Sequence, residues 1–230
     1  MMKKYIIFSD LHGADITPIE EMFQSRKVDA GICLGDFDRV ATAKQVEALQ
    51  DYEMHVVPGN HDYSHINKVA INSGTMSRQS INSYSMWEEW ENDEGARNYM
   101  ENLLKNPTIE LDISGNKTLA IHGGLGGNYQ TEPSYLWNRI YSEQDYIDNF
   151  NKMKENDIKI MLRGHDHKPQ FARIDPDSGF KEYDAAGHGY NMFNNRMHIV
   201  NPGAFFEGNY AIITTDMPDR ENPTIEFCKL

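Results

Sequence analysis

Aspartate, asparagine and histidine side chains recur in this sequence in short groups, each following an apolar run. Asp10 and His12 follow the run from Tyr5 to Phe8, Asp36 follows Ala30 to Leu34, and Asn60-His61-Asp62 follow His55 to Val57. His122 follows Leu119 to Ile121, and His165 and His167 follow Ile158 to Leu162. Carboxylate oxygens, an amide oxygen and imidazole nitrogens together suit manganese, iron or zinc better than magnesium or calcium. Two such cations roughly 3.5–4 Å apart would stabilise both the attacking and the leaving oxygen of a phosphate ester. Coordination also lowers the pKa of water to about 7, which makes hydroxide available at neutral pH. A single aspartate or histidine at a strand end ordinarily caps a turn; the ordered set, each piece after an apolar run, is what points to chemistry.

The spacing within each group carries its own expectation. Residues two apart in an extended segment face the same side, so Asp10 and His12 are predicted to share one ion and His165 and His167 to face one site. Glycines before Asp36, Asn60 and His165 permit sharp backbone turns beside a ligand.

These groups need a scaffold that gathers strand ends. The runs at Tyr5–Phe8, Ala30–Leu34 and His55–Val57 predict strands, with helices from Thr17-Pro18 onward and over Ala41–Leu49 between them. Strand, helix, strand, helix, strand is the pattern of a parallel sheet covered by helices, which binds ligands at the carboxyl ends of its strands. Residues 63–106 are polar, aromatic and of helical composition, and read as an insertion or cap. A hairpin is expected over Thr108–Ile113 and Leu119–Ile121, and a helix over Ser142–Lys154 with Ser142 as its cap. Ile158–Leu162 reads as a buried strand. The last third is β-rich: 171–174 and 180–183 flank the turn Pro176-Asp177-Ser178-Gly179, and 197–200 and 210–214 add strands.

The bulk composition narrows the function. A chain of 230 residues fits a single domain, here 1–230 with the insertion at about 63–106. Thirty-five acidic against 22 basic residues give a net charge of −13, which disfavours long nucleic acid as a partner but not small phosphate esters near bound cations. Cys33 and Cys228 have no CxxC neighbour, and a reduced, cytoplasmic setting is the simplest reading. The apolar run after Met1 stops at Ser9-Asp10, short of a secretory core, and no run reaches membrane-spanning length.

Taken in order, D-x-H at Asp10–His12, G-D at Gly35-Asp36, G-N-H-[DE] at Gly59–Asp62, a lone histidine at His122 and G-H-x-H at Gly164–His167 resemble the signature of the calcineurin-like metallophosphoesterase superfamily. The tail Asn201-Pro202-Gly203-Ala204 is similar to the N-P-G-[ST] ending of its small phosphodiesterase branch, with alanine in place of the hydroxyl residue. The resemblance implies an α/β fold, a β-sandwich of two mixed sheets flanked by helices, with a helical insertion. It implies that Asp10, His12 and His167 hold one metal and that Asn60, His122 and His165 hold the other, with Asp36 bridging. His61 would be the non-ligand histidine that meets the leaving group. Asp38 and Arg39, one position earlier than in related protein phosphatases, are candidates to orient that histidine and to bind phosphate. Two divalent ions follow as cofactors, manganese first, with iron, zinc or nickel as alternatives. The expected substrate is a small phosphate mono- or diester, which includes a nucleotide or a phosphoprotein.

Other features have plainer readings. His55, His65, His188 and His198 match no block and read as surface or core residues, with His188, between two glycines, the strongest exception. Gly123–Gly127 lacks the lysine of a P-loop and reads as a turn. At least two of Trp87, Trp90 and Trp137 read as packing for the inserted helices. The competing functions are a protein phosphatase of the same superfamily and a non-catalytic metal-binding scaffold. A dinucleotide-binding oxidoreductase is excluded, because Ser9–Gly13 supplies no GxGxxG after the first strand.

Overall fold

The computed structural model describes residues 2–68, 86–125, 134–175, 179–192, 194–215 and 222–230. Two six-stranded mixed sheets lie face to face. The first has the order β3-β2-β1-β11-β12-β9 and the second β4-β5-β6-β10-β7-β8. The strands of the first sheet are β1 Lys3–Phe8, β2 Ala30–Cys33, β3 Glu53–Val56, β9 Gly189–Asn191, β11 Asn209–Thr215 and β12 Thr224–Lys229. Those of the second are β4 Thr108–Ile113, β5 Asn116–Ile121, β6 Ile160–Leu162, β7 Pro169–Asp175, β8 Gly179–Asp184 and β10 Met197–Pro202.

The apolar runs form strands because they are buried on both faces. Ile7, Ala30 and Ile32 of the first sheet meet Ala120, Leu162, Phe171 and Val200 of the second in the central core. On the outer face of the first sheet, Ile6, Phe8 and Cys33 pack under the helices Thr17–Gln24, Val40–Ala48 and Glu94–Lys105 through Ile19, Phe23, Ala43, Val46 and Met100. On the outer face of the second, Leu119, Ile121 and Met161 pack under the helix Glu143–Glu155 through Tyr146, Phe150 and Met153. The sandwich flanked by helices is therefore the fold, as expected from the resemblance.

Local chemistry explains several boundaries. Pro18 occupies the first turn of the first helix. Ser142 caps its helix by accepting from the Asp145 N–H, and the Asp145 side chain reaches back, a capping box. The β4–β5 register pairs Ile113 with Asn116, which leaves the two-residue turn Ser114-Gly115, both at positive φ.

Three expectations need correction or extension. The run of parallel strands stops at β1, because β11 pairs with it antiparallel, Ile6 opposite Ile212. The three-residue edge strand β9 and the strand β12 between it and β11, interrupted by Glu226, carry weak signals and escaped the sequence reading. Asn60-His61-Asp62 are not a strand end: they form the first turn of the helix Asn60–Asn67. Within the inserted region, 86–91 and Glu94–Lys105 are helical, while 69–85 lie outside the described residues. Gly126-Gly127 and the turn residues Pro176-Asp177-Ser178 lie outside them too. No helix among the described residues is long and apolar enough to cross a membrane.

Candidate metal centre

β1, β2 and β3 run parallel in one sheet, and β5, β6 and β10 run parallel in the other. Their carboxyl ends meet at one edge of the sandwich. The seam is hydrogen-bonded across the two sheets. His122 Nδ1 donates to Leu34 O at 2.6 Å, and the His165 N–H reaches both Asp10 carboxylate oxygens at 3.1 Å. Ser9 forms a parallel bridge to Ala204 beyond β10.

The loops after these strands are tight. Asp10, His12, Asp36, Asp38, His165 and His167 all sit at positive φ, six of the ten such non-glycine residues among those described. That conformation costs energy for a side-chain-bearing residue and clusters at functional sites. It also corrects the spacing argument: Asp10 and His12, and His165 and His167, are gathered by left-handed turns rather than by an extended segment. Close backbone approach does the rest. A Cβ on Gly59 would lie 2.0 Å from Asp36 Oδ1, and one on Gly164 would lie 1.8 Å from Ser9 Oγ.

Two groups of donors result. Asp10, His12, Asp36 and His167 bring ligand atoms within 4.8 Å of one another, and so do Asp36, His122 and His165. Asp36 belongs to both: its Oδ2 lies 3.8 Å from His12 Nε2 and 3.3 Å from His122 Nε2. Its Oδ1 is anchored by the His61 N–H at 2.9 Å. Asn60 Oδ1 stands 3.0 Å from His122 Nε2. His12 Nε2 and His167 Nε2 face each other at 3.2 Å, and His167 Nε2 is 3.4 Å from Asp10 Oδ1.

This donor set fits a pair of divalent cations. His12 Nδ1 donates to Asp38 Oδ2, His122 Nδ1 to Leu34 O, and His165 Nε2 to Trp137 O at 3.2 Å. The other nitrogen of each ring is left to the donor groups, where a neutral imidazole offers a lone pair to a cation. Metal-binding histidines are held this way, by a carboxylate or carbonyl on the far nitrogen. Lone pairs facing one another in a buried space need a positive charge between them.

The protein's own field makes the same demand. Burial alone would raise the Asp36 carboxyl, but His122, His61 and His12 outweigh it and hold it well below the usual range. Burial would lower His122, yet the Asp36 charge pushes it up to about 9. His165 goes the other way, down to about 2, through burial and then the neighbouring His122 charge. Cation density is thus wanted beside Asp36.

A third group, His12, Asp38 and His61, also brings its donor atoms within 4.8 Å of one another. Asp38 Oδ2 accepts from His12 Nδ1 at 2.7 Å, and its Oδ1 accepts from His61 Nδ1 at 2.7 Å and from His65 Nε2 at 2.9 Å. Its carboxyl lies far below the usual range: burial opposes this, and hydrogen bonds from the three imidazoles prevail. Asp38 is fixed from behind, where Trp90 Nε1 donates to its backbone carbonyl at 3.1 Å. Asp62 accepts from the Gly59, Asp36 and Phe37 N–H groups at 2.7–2.9 Å and pins the Asp36 loop to the helix.

Arg39 does not join the cluster. Its side chain lies along Gly13, and its guanidinium is 3.3 Å from a Glu89 carboxylate oxygen. His65 and Asp62 were missed as site residues by sequence reasoning. His65 follows His61 by four positions, so the helical period was a usable signal; Asp62 was visible as the last member of G-N-H-D. His188 belongs to none of the three donor groups among the described residues. Gly123 turns the chain against Tyr135 O, in keeping with its plain reading.

A family model described as the calcineurin-like phosphoesterase superfamily domain matches residues 2–216. No curated protein matches the chain. A solved metallophosphoesterase from Sphaerobacter thermophilus is similar with a TM-score of 0.67 at 20% identity, over 99% of this chain and 88% of that one. A hypothetical protein from Pyrococcus horikoshii OT3 is similar with a TM-score of 0.61 at 14% identity, over 99% and 87% respectively. At these identities the likeness is one of fold.

Proposed function

The chain belongs to the calcineurin-like phosphoesterase superfamily, and we propose that it hydrolyses a small phosphate mono- or diester at the centre built around Asp36. The observation that carries this reading is the position of Asp36 Oδ2, within 3.8 Å of a histidine nitrogen in each donor group. A carboxylate so placed can serve two cations at once.

In this reading Asp10, His12 and His167 hold one cation, Asn60, His122 and His165 the other, and Asp36 both. When bound, the pair supplies positive charge to the phosphate and makes coordinated water acidic. The remaining work belongs to the chain. Asn60 contributes a neutral oxygen, which limits the negative charge facing an anionic ester. Asp38 holds the Nδ1 side of His61, which leaves Nε2 to carry a proton to the leaving oxygen; a positioned acid contributes on the order of 10²–10⁴-fold in rate. Arg39 lies along Gly13, the residue after His12, and would have to leave Glu89 for its guanidinium to reach a bound phosphate.

The test is hydrolysis of p-nitrophenyl phosphate and bis-p-nitrophenyl phosphate by protein reconstituted with manganese, iron or zinc. Turnover of either that chelator abolishes and metal restores is the expected result. Two fully loaded metal sites with no turnover of any ester in a wider panel would support a binding scaffold instead.

A further inference from the structure

Beyond the donor groups, one apolar side chain stands open at the centre's edge. Phe206 is 45% exposed, one of four large hydrophobics exposed among the described residues. Met2 and Leu230 are terminal and Tyr141 lies in a cleft with Lys168, Gln170 and Glu182. Phe206 alone among them touches the candidate ligands: its ring centroid is 5.2 Å from that of His12 and 5.4 Å from that of His167. Both contacts are near perpendicular, at 77° and 82°.

Its exposure is not the accident of a loose loop. The preceding Phe205 is buried, packs on Phe8, and its N–H donates to Ser9 O at 2.8 Å. The Ala204 N–H donates to His167 O, and Gly208, at φ 84°, closes the turn by donating to Phe205 O. The backbone on both sides is thus tied to the same strand ends that carry Asp10, His12 and His167. A rigid turn holds a phenyl ring beside two imidazoles, with part of its surface left to solvent.

We propose that Phe206 is a stacking platform for an aromatic group carried by the phosphate ester, a nucleobase or an aryl substituent, and so a specificity-determining residue. This rests on the phosphoesterase reading of the same centre. An ester whose phosphate binds at the cation that Asp10, His12 and His167 would hold can carry its substituent outward past these two imidazoles, beside the half-exposed Phe206 ring. Offset stacking of an aromatic group there adds affinity that an alkyl group of the same charge does not gain. The gain expected from such stacking is about tenfold in affinity, equivalent to about 1.4 kcal/mol.

The experiment compares phenylphosphonate with methylphosphonate, both inert to hydrolysis, by calorimetry on manganese-loaded protein at a pH above both second ionisations, where each is a dianion. Hydrolysis of bis-p-nitrophenyl phosphate is followed in parallel. The wild type is expected to bind phenylphosphonate about tenfold more tightly. Phe206→Ala and Phe206→Leu are expected to erase that preference, and Phe206→Tyr to restore it. Equal affinities in the wild type, or a preference that survives in Phe206→Ala, would overturn the platform while hydrolysis leaves the phosphoesterase reading standing. If the loaded protein binds neither phosphonate and does not hydrolyse the diester, the phosphoesterase reading falls, and the platform with it.

Discussion

Asp38 Oδ1 lies 2.7 Å from His61 Nδ1 and 2.9 Å from His65 Nε2, so one carboxylate oxygen serves two imidazoles four residues apart on one helix. His65 is buried, and its Nδ1 has no partner among the described residues. An unsatisfied buried nitrogen costs about 1–3 kcal/mol, which a leucine or phenylalanine there would avoid. Its use is therefore sought in Asp38. His65→Phe is expected to lower kcat about tenfold on a phosphodiester, with KM and metal content unchanged. Added to His61→Gln it should slow the enzyme little further, because both act through one oxygen. Steady-state kinetics with metal analysis checks this; losses that simply multiply would show that His65 acts elsewhere.

His61 and Asp36 separate acid from ligand. The His61 ring is held by Asp38, whereas Asp36 Oδ2 faces both donor groups. His61→Gln is expected to retain both metals and to slow turnover on the order of 10²–10⁴-fold. Asp36→Asn should lose metal occupancy. Elemental analysis of both variants by mass spectrometry decides it, and equal metal loss in the two would make His61 a ligand.

Arg39 is expected to act on binding. Its pairing with Glu89 leaves it half exposed beside Gly13. Arg39→Ala should raise KM several-fold with kcat nearly unchanged, the pattern of an interaction equal in ground and transition states. A fall in kcat at constant KM would place Arg39 in the transition state instead.

Stability depends on a charge that faces no substrate. Arg163, fully buried, pairs with Asp166 and also donates to Gly123 O at 2.9 Å and Gln170 Oε1 at 3.3 Å. It ties the loop after β5 to the loop after β6. Removing one partner of a buried pair leaves an uncompensated charge and costs about 3–5 kcal/mol. Arg163→Met should therefore lower unfolding free energy by that amount in urea denaturation. A loss under about 1 kcal/mol would mean that Asp166 finds another partner or a proton.

The strands that carry the centre were legible because burial on both faces leaves an unbroken apolar run, and the donor residues follow each run directly. The antiparallel return of β11 beside β1 was not legible, since no local signal says which distant strand pairs with Lys3–Phe8. Edge strands such as Gly189–Asn191 keep one side in solvent and carry no apolar run to read. Conformation also escaped: alternation suggested extended pairs at Asp10–His12 and His165–His167, whereas the chain takes positive φ there. Partner choice depends on tertiary packing, so the Arg39–Glu89 pair and the turning of His65 onto Asp38 become visible only once the helices are docked.

The most direct test is crystallography of manganese-soaked protein with anomalous scattering. Two peaks roughly 3.5–4 Å apart are expected. One should lie among Asp10, His12, Asp36 and His167, and the other among Asp36, Asn60, His122 and His165. A single peak, or none touching Asp36, would contradict a centre in which that carboxylate joins two cations.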